Sequence, residues 1–248
     1  MGFAAGTAMD QVQPLEGKLM DTDLTSGAMW YGTFLISTVC HEAAHAWSAS
    51  RLGDDTAAKG GQVTLNPLPH IRREPIGMVA VPLVSWFSGG WIIGWASTPY
   101  NRQWAEDNPR KAAVMALAGP STNLALALAA ALAIRLGYEW GVFGEPSPVN
   151  MSHLATTGSN GIMEFVARIL SIFLSLNLLL CVFNLVPVPP LDGSRAPLLF
   201  LPKGAATAYA DFTRNGVFRF VGLLAAWKLI PLIFPQILRG ALGLLYYP

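Results

Sequence analysis

The stretch Cys40–His45, which reads Cys-His-Glu-Ala-Ala-His, decides how this sequence is interpreted. It lies in an apolar run, residues 28–49, whose ionisable side chains other than one tyrosine and one cysteine are those of His41, Glu42 and His45. Residues four apart share a face of a helix, so His41 and His45 can direct both imidazoles at one point. Two such imidazoles form half of a usual catalytic zinc site, and Glu42, about 100° further round, could reach a water on the metal. We therefore predict that His41 and His45 bind Zn²⁺.

The composition is that of a protein with several membrane-spanning segments. Of the 248 residues, 52% are hydrophobic and only 12% are charged, and long apolar runs recur. The net charge of +1 gives no indication of nucleic-acid binding. Cys40 and Cys181 both lie in apolar runs, which favours buried thiols over a disulfide framework.

The order of apolar and polar stretches predicts a polar N-terminal tail, residues 1–24, followed by a single transmembrane domain, residues 25–248. Four stretches are candidate spans: 27–50, 115–136, 164–185 and 217–247. The last contains Pro231 and Pro235, so it is either one kinked helix or a helical hairpin. A further apolar stretch, 76–97, is interrupted at Ser88–Gly90, and Gly61–Asn66 alternates like a strand.

A third metal ligand is needed, because catalytic zinc usually takes three protein ligands and one water. The candidates are His70, His153 and the carboxylates. Asp192 stands out because it follows a proline-rich break at the end of an apolar span, and Gly193 lets the chain turn there. Broken backbone at membrane depth is tolerated where it is buried or lines a cavity. We predict Asp192 as the third ligand; the alternative is a capping aspartate at a helix end.

The direction of the spans tests this prediction. If Asp192 meets His41, residues 76–97 must enter the membrane and return instead of crossing it. This arrangement places eleven basic residues on the side toward which the ligands lie and three on the other side. The first group is Arg51, Lys59, Arg72, Arg73, Arg102, Arg110, Lys111, Arg195, Lys203, Arg214 and Arg219, and the second is Lys18, Arg135 and Arg168. The positive-inside bias then predicts a site that opens toward the cytosol.

Three motifs together resemble the site-2 protease family, peptidase family M50, in its compact form without PDZ or CBS domains. The motifs are His41–His45, Gly119–Asn123 and Asn184–Gly193, and the similarity covers about residues 27–215. The resemblance implies an all-α polytopic membrane protein of about four to six transmembrane helices, with a small re-entrant β segment within residues 60–98.

The same resemblance implies an intramembrane zinc metalloprotease. It assigns Zn²⁺ to His41, His45 and Asp192 and the role of general base to Glu42. It also implies cleavage of single-span transmembrane proteins in the bilayer, and it favours the inner (plasma) membrane of a bacterium or archaeon. The sequence does not give the oligomeric state.

Three other polar residues keep two interpretations each. Asn123 and Asn184 either stabilise an oxyanion or hold substrate, or they join membrane helices by hydrogen bonds. His70 either supports the site or contacts substrate, or it is a surface loop histidine. An extended substrate could also pair with strands near Gln62–Leu65 or Trp95–Thr98.

Two other functions compete with proteolysis. A membrane metal-ion transporter would also place histidines and acids in spans, but it would want further polar positions along a path through the bilayer. In this sequence the later spans are almost purely aliphatic. An inactive relative that binds membrane proteins is disfavoured because all four expected catalytic positions are present.

Overall fold

The structure is a computed structural model that describes residues 24–159 and 161–247, so the predicted tail lies almost wholly outside the described residues. Helices account for most of the described chain. They are α1 Leu24–Leu52, α2 Thr56–Lys59, α3 Pro67–Arg73, a π-helical turn Ile76–Ala80 that continues into α4 Val81–Gly89, α5 Arg102–Asp107, α6 Pro109–Glu139, α7 Ile162–Leu185, a 3₁₀ helix Asp192–Leu199, α8 Lys203–Arg214 and α9 Gly216–Tyr246.

Among the described helices, α6, α7 and α9 are long and apolar enough to cross a membrane. The predicted number of four to six spans is therefore not confirmed. Helix α1 has 29 residues, roughly 44 Å at 1.5 Å per residue, which is long enough. Its mean hydropathy is lowered by the polar side chains that it buries, including Thr33, Ser37, His41, Glu42 and His45.

The predicted β segment is not confirmed either. Within the described part of the chain, β pairing is limited to two isolated bridges, Gly144–Thr156 and Asn150–His153. Residues 61–66 form turns and bends instead. Local bonds explain this: Gly61 has φ +72°, which reverses the chain, and Asn66 accepts a hydrogen bond from the Leu68 amide at 3.0 Å and so caps α3.

Residues 76–101 form a short helix followed by an irregular segment that folds back along it. The helical part, Ile76–Gly89, is about 21 Å long, which is shorter than a membrane's hydrocarbon core of about 30 Å. Gly90, with φ +68°, ends this helix, and residues 91–101 return without regular secondary structure. The Trp95 amide then donates to the Gly77 carbonyl at 3.1 Å. The segment therefore ends beside the point where it began.

The C-terminal apolar stretch, which the sequence left open between one helix and a hairpin, forms the single helix α9 with Pro231 and Pro235 inside it. Its end is tied to the rest of the bundle. The Tyr246 hydroxyl donates to the Leu154 carbonyl at 2.6 Å, and Arg135 donates to the Leu245 carbonyl at 2.6 Å.

Helix α6 lies at the centre, in contact with α1, α7 and the 3₁₀ helix. A buried polar network joins three of the long helices, α1, α6 and α7. The Asn177 amide donates to the Ser37 hydroxyl, and the Asn123 amide donates to the Asn177 carbonyl oxygen, both at 2.9 Å. All three side chains are fully buried. Because each polar group needs its partner in an apolar interior, the network fixes how α1, α6 and α7 pack.

Candidate active site

Two motifs that are 151 positions apart in the sequence meet between α1 and the 3₁₀ helix. The Nε2 atoms of His41 and His45 are 2.9 Å apart. One carboxylate oxygen of Asp192 lies 3.1 Å from Nε2 of His41 and 3.3 Å from Nε2 of His45. Both histidines are buried, and Asp192 is partly exposed. The three predicted metal ligands therefore converge on one point.

The hydrogen-bond partners of the two Nδ1 atoms indicate which ring nitrogen of each histidine carries a proton. Nδ1 of His41 lies 2.6 Å from the side-chain oxygen of Asn123, and Nδ1 of His45 lies 2.8 Å from the Met115 carbonyl. Both partners are acceptors, so each Nδ1 donates, and a ring that is neutral then presents the lone pair of its Nε2 to the cluster. Two nitrogen lone pairs and a carboxylate oxygen thus face one another. This donor set fits a divalent cation.

The spacing of the donors also fits zinc. Ligand atoms about 2.0–2.2 Å from a tetrahedral Zn²⁺ are separated by roughly 3.3–3.6 Å, and the observed separations approach this. Gly119 on α6 leaves space beside the Nε2 atoms of the two histidines. A Cβ atom at this position would lie 2.4 Å from Nε2 of His45 and 2.5 Å from Nε2 of His41. Any side chain at position 119 would therefore intrude on the donor atoms.

Asp192 reaches the histidines because α7 stops at Leu185 and the chain turns sharply. The Val188 amide bonds to the Val186 carbonyl at 2.8 Å, and the Ser194 amide bonds to the Leu191 carbonyl at 3.0 Å. Gly193 makes the turn possible, since a Cβ atom there would lie 2.3 Å from the Leu185 carbonyl oxygen. The proline-rich break and the glycine thus act together to place the carboxylate.

Glu42 is buried beside this cluster and is held by Thr98. The Thr98 hydroxyl lies 2.6 Å from a carboxylate oxygen of Glu42 and 3.0 Å from the Glu42 main-chain carbonyl. Thr98 belongs to the returning segment, residues 91–101, which is itself fixed on both sides. Arg73 donates to the Ser97 carbonyl at 3.0 Å, and the Asn101 amide donates to the Asp54 carboxylate at 2.7 Å.

The three other predicted residues lie differently. Asn123 contacts His41, but it is fully buried and its amide is bound to Asn177, so the interhelical interpretation fits it better than contact with substrate. The Asn184 amide donates to the Leu180 carbonyl one turn back on the same helix, at 3.0 Å. His70 is buried, contrary to the surface interpretation, and its Nε2 lies 3.1 Å from the Thr64 carbonyl, where it closes the turn before α3.

Sequence reasoning used Gly119 only as part of the Gly119–Asn123 motif and Thr98 only as the end of a strand that could pair with substrate. It gave no role to the Ser37–Asn177 pair. Gly119 could have been noticed, because a Gly-Pro pair inside a 31-residue apolar helix is unusual in both residues. Thr98 offered no such signal, since it lies in an irregular segment 56 positions from Glu42.

Comparison with known proteins agrees with this geometry. The model of peptidase family M50 matches residues 30–226. YwhC of Bacillus subtilis, named as a candidate zinc metalloprotease, is 34% identical over 207 residues, which cover 81% of this chain and 84% of YwhC. Rip2 of Mycobacterium tuberculosis (strain Erdman), also named as a candidate zinc metalloprotease, is 30% identical over 225 residues, covering 90% of this chain and 75% of Rip2. No solved structure matches.

We expect Gly119→Ala to lower the bound zinc at least tenfold, because the new methyl group would occupy the space beside both Nε2 atoms. Metal content of the purified chain is the measurement. Alanine is favoured over glycine in a helix by about 1 kcal/mol, so the helix itself is not weakened. Gly32→Ala is the matched control, since a Cβ atom at position 32 meets nothing within 4 Å. Full zinc content in Gly119→Ala would contradict the assignment of this space.

Proposed function

The chain belongs to peptidase family M50, the site-2 protease family of intramembrane zinc metalloproteases, and we propose that it hydrolyses peptide bonds in the transmembrane segments of single-span membrane proteins. The convergence of His41, His45 and Asp192 beside a buried, hydrogen-bonded Glu42 carries this proposal. Three metal ligands are thus accompanied by the carboxylate of Glu42, which Thr98 holds and which is not one of the three clustered donors.

His41, His45 and Asp192 would hold the zinc ion, which supplies the positive charge that polarises the scissile carbonyl and acidifies the attacking water. The chain's own residues supply the rest. Glu42 accepts the proton of the attacking water and passes it to the leaving amine. Thr98 keeps the Glu42 carboxylate directed at one position. Asn123 and the Met115 carbonyl hold the two imidazoles in the tautomer that leaves each Nε2 lone pair free.

The membrane arrangement that we propose has α1 as a fourth span beside α6, α7 and α9. Residues 76–101 enter from the side of the metal ligands and return to it, which the Trp95–Gly77 hydrogen bond supports. The excess of basic residues on that side supports a cytosolic opening, in the plasma membrane of a bacterium or archaeon.

Substrate would bind beside residues 91–101. This segment, which has no regular secondary structure, passes Glu42 at Thr98, and no described residue pairs with it to form a sheet. An unwound substrate segment could therefore add to it as a strand. Pairing with Gln62–Leu65 is not proposed, because those residues form turns and bends.

The competing functions receive less support. Within the described residues, one group of histidine, cysteine and acidic side chains could hold a metal ion, whereas a transport path would need successive sites. A binding protein without activity would not need the Thr98–Glu42 hydrogen bond.

We expect Glu42→Gln to keep its zinc and to lose at least 99% of cleavage, since general-base catalysis contributes typically 10²–10⁴-fold. The native chain and the variant would be expressed in the same host membranes, and new protein termini within transmembrane segments would be mapped by mass spectrometry. Glu164→Gln, an exposed carboxylate at the start of α7, is the matched control. Equal numbers of new termini with Glu42→Gln would refute the proposed function.

We expect Thr98→Val to slow cleavage about ten- to a hundredfold without loss of zinc, because a hydrogen bond to a charged group is worth about 1.5–3 kcal/mol. Thr98→Ser, which keeps the hydroxyl, should restore at least half of the native rate. Thr122→Val removes a hydroxyl that bonds within its own helix, to the Ala118 carbonyl at 3.0 Å, and serves as the control. If the serine variant is as slow as the valine variant, Thr98 acts through packing and does not position Glu42 by its hydrogen bond.

A further inference from the structure

A polar cavity lies beyond the turn that carries Asp192. Its walls come from α5, the start of α6, the Pro189–Pro190 turn, the 3₁₀ helix, α8 and the start of α9. Its volume is about 150 Å³. We call it the arginine cavity after the residues that give it its charge. The polar side chains that line it include Tyr100, Glu106, Arg195, Tyr209, Arg214 and Arg219.

The charges in the arginine cavity are not balanced. Glu106 lies 2.8 Å from Arg214 and 3.0 Å from Arg102, and the hydrogen bond from Arg102 lowers the pKa of Glu106 and keeps it ionised. Arg214 is also 3.0 Å from Asp211. The one carboxylate in the wall is therefore already shared between two guanidinium groups.

Arg195 and Arg219 have no such partner. Arg195 stacks over the Tyr100 ring at 4.6 Å and donates to its uncharged hydroxyl. Within the described part of the chain, no carboxylate lies within ion-pair distance of either arginine. Two positive charges thus face a cavity that has space for a ligand, and guanidinium groups bind phosphate in a two-pronged geometry.

The elements that line the cavity have features expected at the level of lipid headgroups. Arg219 lies three residues after the first residue of α9, a candidate membrane span. Aromatic side chains on or directly after the elements that line the cavity are exposed: Phe200 83%, Phe212 50% and Phe220 64%. Exposed aromatic rings beside arginines at the end of a span are typical of a membrane interface.

An apolar surface for lipid chains begins at the same place. Val217, Val221 and Leu224 lie three or four positions apart on α9, and each is at least half exposed. A molecule whose phosphate enters the arginine cavity could lay its chains along this face. A zwitterionic headgroup would bring its own cation toward Arg195 and Arg219, which like-charge repulsion disfavours.

We propose that the arginine cavity binds the phosphate of an anionic phospholipid whose acyl chains lie along α9. This site is separate from the catalytic function and requires only that the chain lies in a bilayer. Pro189 and Pro190 form part of the cavity wall and precede Asp192 by three and two positions. A bound lipid would therefore also restrain the turn that supplies the third metal ligand.

The test uses the full chain purified in detergent and then equilibrated with equal amounts of phosphatidylglycerol and phosphatidylcholine. Native mass spectrometry measures which lipid stays bound. We expect one phosphatidylglycerol to be retained at least tenfold over phosphatidylcholine. The double variant Arg195→Gln/Arg219→Gln should lose this preference. Arg72→Gln, an exposed arginine on α3 away from the cavity, should keep it.

If the double variant does not fold, the single variant Arg219→Gln replaces it, because this exposed side chain has no described side-chain partner. We expect the single variant to reduce the preference for phosphatidylglycerol over phosphatidylcholine at least threefold. Equal retention of the two lipids, or a preference that survives in both variants, would overturn the proposal. So would stabilisation of the lipid-free chain by inorganic phosphate equal to that by phosphatidylglycerol, which would indicate a free phosphate site. Displacement of phosphatidylglycerol by a soluble acidic peptide at micromolar concentration would indicate a protein ligand and would also overturn it.

Discussion

The hydrogen bond between Asn123 and His41 connects the packing of the helices to the chemistry of the site. Asn123 lies on α6 and His41 on α1, and the amide of Asn123 is bound in turn to Asn177 on α7. In an apolar interior each of these groups costs free energy if it loses its partner. The three helices therefore have one favourable register, and in that register the Nε2 lone pair of His41 faces His45 and Asp192. The geometry of the metal centre follows from the same bonds that hold the bundle together.

The second constraint is the placement of irregular backbone. Two segments without helical structure reach the centre, the turn before Asp192 and the returning residues 91–101. Each brings one polar side chain that a long helix on its own could not supply: Asp192 completes the ligand set, and Thr98 holds Glu42. Glycines permit the close approaches. Gly193 lies against the carbonyl of Leu185, Gly77 against that of Trp95, and Gly119 beneath the two imidazoles. Small residues at these positions let the backbone come near enough for the polar groups to meet.

Much of the site could be predicted from the sequence because its signals are local. The helical repeat places His41 and His45 on one face, and the prolines before Asp192 indicate that the helix ends there. The direction of the spans also predicts that residues 76–97 enter the membrane and return, and the hydrogen bond between Trp95 and Gly77 is compatible with that prediction. What could not be predicted depends on long-range packing. Gly61–Asn66 was expected to form a strand but forms turns, because Asn66 and His70 make local hydrogen bonds there. An alternating sequence pattern does not predict such bonds. Thr98 contacts Glu42, and Asn177 contacts Ser37. In both pairs the two residues are more than fifty positions apart in the sequence.

The central claim is that two distant motifs form one zinc site, and the metal content of the purified chain tests it most directly. The native chain and Asp192→Ala would be compared, with Asp107→Ala, an exposed carboxylate on α5, as the matched control. We predict about one zinc ion per chain for the native protein and for Asp107→Ala, and at most a tenth of that for Asp192→Ala, because two imidazoles alone hold zinc weakly. Unchanged zinc in Asp192→Ala would show that Asp192 is a structural residue, and it would contradict both the ligand set and the proposed arrangement of the spans.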